Sequence, residues 1–132
     1  NDGLRGTDPP TVRSNLQQII DRARSINPDL RIVLTGIRMP PNMGSAYTKA
    51  FREVYTDLGA ANELVLIPRL LEGVGGRPEF MQSDGIHPNV RGHRRVADTV
   101  WEELRPVLEE LGAGTQRTAE VVTLARAVQA AA

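Results

Sequence analysis

Two short runs, "LRIVLTGI" at 30–37 and "LVLIP" at 64–68, constrain the fold more than any other feature of the chain. Both are apolar almost continuously, whereas a strand with one wet face alternates apolar and polar residues. Each reads as a strand covered on both faces. Between them lies "SAYTKAFREVYTDLGAA", in which Tyr47, Ala50, Phe51, Val54 and Leu58 recur at helical spacing. A helix is expected from Ser45 to about Leu58, with Gly59 closing it as a C-cap. Buried strand, helix, buried strand is the order of a parallel crossover unit.

The flanking segments extend this alternation. "TDPPTVRSNLQQIIDRARSINPD" offers Thr7 or Asp8 as an N-cap, tolerates Pro9 and Pro10 in a first turn, and places Val12, Leu16, Ile19, Ile20 and Ala23 on one face. "RMPPNMG" cannot continue strand pairing, so it forms a loop at a strand's carboxyl end, where open α/β sheets place ligands. "RLLEGVGGRPEFMQSDGIHPN" is a longer loop rich in Gly and Pro. A last helix follows, with Val96, Val100, Leu104, Val107, Leu108 and Leu111 along a face and Pro106 expected to kink it. The whole predicts a parallel α/β sandwich whose sheet is incomplete on this chain, because two strands do not bury both faces of a doubly wound sheet. Residues 1–111 read as part of one domain, and 112–132 as an Ala-rich, helix-prone tail.

Composition narrows the function classes. Sixteen basic and sixteen acidic residues cancel, so no net field steers the chain toward nucleic acid or an anionic membrane. Cysteine is absent, which removes disulfides and thiolate metal sites and leaves the compartment open. The apolar runs fall far short of the roughly 20 residues of a membrane span. The opening "NDGLRG" has no methionine, basic region or apolar region, and reads as an internal cut.

The stretch "SDGIHPN" at 83–89 holds the candidate chemistry. Histidine side chains ordinarily titrate near neutrality, which makes His87 the natural candidate for a proton shuttle, and a carboxylate against one ring nitrogen fixes a histidine's tautomer and stabilises its cation. Asp84, three positions earlier with the flexible Gly85 between, is placed to be that carboxylate. The structural alternative is that Asp84 and His87 only cap and staple the following helix. A metal site finds little support, since His93 is the only other histidine and no three ligands stand at familiar spacing. "EGVGGRP" neither follows a strand directly nor opens a helix, so it is a flexible loop and not a phosphate cradle. Arg38, Arg77, Arg94 and Arg95 read as solvated charges. None of Ser14, Ser25, Ser45 and Ser83 sits on a nucleophile elbow.

"NDGLRG", "IRMPPNMG" and "DGIHPNVRGHRRVAD", in that order, resemble three motif regions of the SGNH hydrolases, also called GDSL esterases and lipases. The likeness is nearest to the bacterial lysophospholipase, thioesterase and arylesterase group, runs from Asn1 to about Leu111, and does not include the tail. The resemblance implies a flavodoxin-like three-layer α/β/α sandwich with a parallel sheet. It also implies an acyl ester or thioester substrate, no cofactor, and His87 as general base oriented by Asp84. Asn1 would donate its amide to the oxyanion, and Met39, Pro40, Asn42 and Ile86 would border the substrate pocket. The family's nucleophile lies in a Gly-Asp-Ser block that has no match here, so it is expected on a second polypeptide or in a segment removed by cleavage. A non-catalytic fragment or interaction subunit with the same scaffold is the alternative. The likeness leans toward a periplasmic or secreted setting, with a cytoplasmic one also open.

Overall fold

The structure, a computed structural model, describes residues 2–112, so Asn1 and most of the 112–132 tail lie outside the described residues. The chain divides into two compact units, Asn1–Arg69 and Leu70–Ala132.

The first unit holds helix α1 (Pro9–Ile26), strand β1 (Val33–Thr35), helix α2 (Ser45–Ala61) and strand β2 (Val65–Ile67). Asp8 caps α1 by accepting a hydrogen bond from the Thr11 amide at 3.1 Å, and both prolines sit in the first turn, where no amide hydrogen is needed. The strands pair in parallel with Val33 opposite Val65 and Thr35 opposite Ile67. They are shorter than the apolar runs that signal them, and only Ile67 is fully buried while Thr35 is exposed. Helix α2 packs against both strands and α1 against α2. Val12, Ile20, Met39, Phe51, Val54 and Leu58 form the core, with Leu16, Leu34, Ile37 and Tyr55 at its edge. Ile19 departs from the expected stripe and is 64% exposed.

Gly59 does not cap α2. The helix continues to Ala61, and Gly59 lies inside it where a side chain would abut Leu66 at 3.5 Å. The end is set instead by Asn62, whose side chain exchanges hydrogen bonds with Gln17 of α1 at 2.8 and 2.9 Å and also donates to the Leu58 carbonyl at 3.0 Å. A buried amide can stop a helix this way because each of its polar atoms finds a partner.

The second unit has its own small core of Val74, Phe80 and Met81, packed by Val96 of helix α3 (Val90–Gly112). Pro106 lies inside α3 without ending it. Val107 is buried and Val96, Val100, Leu104 and Leu108 are half-buried, but the apolar face stops short of Leu111, which is 49% exposed. The long loop before α3 is more ordered than its Gly and Pro content suggests: a single 3₁₀ turn, Pro78–Phe80, runs into an antiparallel bridge between Met81 and Pro88. Among the described residues, no helix is long and apolar enough to cross a membrane.

Candidate active site

The bridge between Met81 and Pro88 makes a tight excursion of residues 82–87, and that excursion carries both candidate groups. Its base is closed by the Gln82 amide donating to the His87 carbonyl at 2.7 Å and by the Gln82 side chain donating to the Pro88 carbonyl at 3.0 Å. At its tip Gly85 takes φ +69°, a left-handed conformation that favours a residue without a Cβ.

Inside the excursion, the two carboxylate oxygens of Asp84 do different jobs. Oδ1 accepts the backbone N–H of Ile86 at 2.9 Å and of His87 at 3.0 Å, which fixes the turn. Oδ2 stands 2.7 Å from His87 Nδ1. Those bonds hold the Asp84 carboxyl down from 3.8 to about 2: the His87 backbone N–H contributes most, then the His87 ring and the Ile86 N–H. With Nδ1 engaged, Nε2 is the ring nitrogen left for another partner, and the His87 side chain is 60% exposed. Ile86 beside it is 49% exposed. Among the described residues, no serine hydroxyl is bonded to His87.

Asp84 and His87 do not cap α3. Asn89 does: its Oδ1 accepts the amides of Arg91 at 2.9 Å and Gly92 at 3.0 Å, and its Nδ2 donates to the carbonyls of Glu79 and Met81, both at 3.1 Å. The Asn89 amide also donates to the Phe80 carbonyl at 2.9 Å. Gly92 then allows close docking, since a Cβ there would collide with the Phe80 carbonyl oxygen and lie 2.9 Å from Pro88 Cβ. Sequence reasoning missed Asn89, although an Asn directly before a helical run is a standard N-cap signal. The capping explanation of the Asp-x-x-His stretch is thereby displaced onto another residue. A cleft of about 370 Å³ beside the excursion is lined by Gly76, Pro78, Met81, Gln82, Ser83 and Gly85.

The other candidates lie in the first unit. Asn1 falls outside the described residues, but the turn that follows it is well tied: the Arg5 and Thr7 amides donate to the Asp2 carbonyl at 3.2 and 3.0 Å. The Tyr47 hydroxyl of α2 bonds the carbonyls of Gly3 at 3.0 Å and Thr7 at 2.9 Å, a positioning role that helical spacing alone does not reveal. Met39 is buried at 4% exposure and, with Gly3, Val12, Ile37, Phe51 and Tyr55, lines a cleft of about 170 Å³. Pro40 and Asn42 are exposed on the loop whose 3₁₀ turn spans Pro41–Met43. No group of three metal-ligating side chains occurs among the described residues.

Comparison with known proteins bears on this arrangement. The model of the GDSL-like lipase/acylhydrolase family matches residues 1–95. Esterase TesA from Pseudomonas aeruginosa is 42% identical over 108 residues, which is 82% of this chain and 53% of that protein. Thioesterase 1/protease 1/lysophospholipase L1 from Escherichia coli is 36% identical over 108 residues, 82% of this chain and 51% of its own length. A crystal structure of TesA matches with a TM-score of 0.75 at 42% identity, covering 80% of this chain and 58% of that one. The chain thus spans about half the length of the curated relatives it matches.

Proposed function

The chain belongs to the GDSL-like lipase/acylhydrolase family, and on that premise we propose that Asp84 and His87 are the acid and base of a serine hydrolase acting on acyl esters or thioesters. The observation that carries the reading is the 2.7 Å approach of Asp84 Oδ2 to His87 Nδ1, made by a carboxylate that the same turn holds ionised. A proton on Nδ1 leaves a lone pair on Nε2, the state a general base requires.

In this mechanism a serine hydroxyl, from a Gly-Asp-Ser block outside residues 1–132, attacks the acyl carbonyl carbon. His87 Nε2 takes the serine proton as the new C–O bond forms. The carbonyl electron pair moves to oxygen, and the side-chain amide of Asn1 donates a hydrogen bond to that oxyanion, a contribution of roughly 3 kcal/mol for one donor. Collapse of the tetrahedral species expels the alcohol or thiol, to which His87 returns the proton. Water, deprotonated by the same ring, then releases the acid from the acyl-enzyme. Asp84 stays ionised throughout and stabilises the imidazolium. Met39, Pro40, Asn42 and Ile86 border the substrate. A periplasmic or secreted setting belongs to the same proposal and rests on the family likeness alone; supply of the serine block by a second polypeptide belongs to it as well and rests on the lack of a Gly-Asp-Ser block in residues 1–132.

The test is fluorophosphonate labelling of the protein together with its Gly-Asp-Ser segment, read by intact mass. The expected result is one covalent label on that serine, lost in His87→Ala along with ester turnover. If His87→Ala keeps turnover within a few-fold of wild type, His87 is not the base. If no label forms in the wild type, the scaffold is a non-catalytic one.

A further inference from the structure

Tyr47 carries one hydroxyl proton and faces two carbonyls. Its oxygen stands 3.0 Å from the Gly3 carbonyl and 2.9 Å from the Thr7 carbonyl, across 44 and 40 residues of chain. A phenol has a single hydrogen to donate, so the two acceptors share it as a three-centre bond. What they have in common is the turn at residues 2–7. Within it the Arg5 and Thr7 amides donate to the Asp2 carbonyl and the Gly6 amide to the Gly3 carbonyl at 3.1 Å, so Tyr47 grips the turn at both ends. Its own amides shape the turn and Asp8 caps α1, so the hydroxyl is needed to form neither. It sets where the turn rests against α2.

The grip is itself anchored. The Tyr47 ring centroid lies 5.8 Å from that of Phe51, which is 2% exposed in the core. Gly3 is buried, and a Cβ there would collide with Met39 Sδ and lie 2.8 Å from Phe51 Cζ. The turn is thus held against rigid packing by contacts that leave it little room to shift. Position matters here because Asn1 directly precedes Asp2, and Asn1 is the proposed oxyanion donor. A donor is effective only within hydrogen-bond reach of the place where charge develops, and a misplacement of about 1 Å can cost about a hundredfold in rate.

We propose that Tyr47 is a positioning residue for the oxyanion: by holding the turn at residues 2–7 against α2, its hydroxyl sets the placement of the Asn1 amide. This rests on the hydrolase reading above. It adds to that reading a residue on another element that acts on the reaction through Asn1 alone.

The experiment uses the protein together with its Gly-Asp-Ser segment and compares phenyl acetate with phenyl thionoacetate, in which sulfur replaces the carbonyl oxygen. Sulfur is a weak hydrogen-bond acceptor, so the oxygen-over-sulfur ratio of kcat reads the oxyanion donors. Both rates come from one sample, and any loss of folded protein cancels. Asn1→Ala removes the donor and is expected to lower the ratio about a hundredfold. Tyr47→Phe displaces it and is expected to lower the ratio about tenfold, with KM for phenyl acetate within about twofold of wild type. In the Asn1→Ala background Tyr47→Phe should lower the ratio no further. An unchanged ratio in Tyr47→Phe overturns the proposal, even where turnover and melting temperature fall, since a merely structural role slows both esters alike. A fall that persists in full beside Asn1→Ala also overturns it, because Tyr47 then acts without Asn1. If Tyr47→Phe does not fold, Gly3→Ala displaces the same turn from the Met39 side, and an unchanged ratio there is equally fatal. A wild type that hydrolyses neither ester overturns the hydrolase reading and this inference with it. Turnover that Asn1→Ala leaves intact overturns the inference and the oxyanion assignment while Asp84 and His87 keep their roles.

Discussion

Asp84 and His87 are joined twice: Oδ2 faces the ring Nδ1 at 2.7 Å while Oδ1 accepts the His87 backbone N–H at 3.0 Å. One carboxylate therefore builds the turn and holds the ring that the turn presents. Asp84→Asn separates the two jobs. Its amide oxygen can still take the backbone N–H groups, but its NH₂ faces Nδ1 and drives the ring proton onto Nε2. We expect kcat in the serine-completed enzyme to drop roughly a thousandfold or more with little change in melting temperature. Steady-state kinetics beside a thermal melt will decide it, and near-wild-type kcat would refute the orienting role.

The same bonds set an acid limit. The folded-state pKa of Asp84 is depressed, from 3.8 to about 2, so the native turn binds this proton more weakly than the unfolded chain does. The contribution is fully present above the unfolded value and is lost as pH falls through the folded one. Carbon-13 titration of the Asp84 carboxyl should give a midpoint well below 3.8, moving upward when His87 is replaced by Ala. A wild-type midpoint at or above the ordinary value contradicts the hydrogen-bonding pattern described.

Asn89 and Gly92 hold the helix against the ladder. Asn89→Ala removes the two acceptor bonds of the cap and two donor bonds to loop carbonyls, with an expected loss of about 1–2 kcal/mol. Gly92→Ala forces a methyl group against the Phe80 carbonyl, a cost of about 1–3 kcal/mol. Denaturant unfolding measures both, and a Gly92→Ala protein as stable as wild type would contradict the close approach of α3.

Tyr47→Phe removes the one hydroxyl that spans the Gly3 and Thr7 carbonyls. The expected cost is about 1 kcal/mol. Hydrogen exchange at the Arg5, Gly6 and Thr7 amides should accelerate, because the turn they close loses its tie to α2. Unaltered exchange there would mean that the turn holds without Tyr47.

The order of elements was legible because caps and periodicity are local signals. Asp8 before two prolines, the spacing of Phe51, Val54 and Leu58, and the two apolar runs each declared an element without outside help. What the sequence hid is non-local. Gly59 looked like a helix end because glycine commonly is one, while the actual end depends on Gln17 meeting Asn62 across 45 residues. The strands shrank to three residues each because pairing requires a partner backbone in register, and apolar content says nothing of register. At the site, the pairing of Asp84 with His87 was readable from their spacing, but the division of labour between the two carboxylate oxygens was not. That Arg77, Arg91 and Arg95 all lie over the ring of Phe80 is likewise non-local, and no charge pattern discloses it.

The stretch from Met81 to Gly92 carries Asp84, His87, the turn amides and the helix cap in one unbroken run of chain. Its consequence is heritability. On the proposed mechanism, the base and its orienting acid, on the same short loop, are copied, lost or transplanted as one piece. Loops elsewhere can then be rewritten for new substrates while the proton chemistry passes on already tuned.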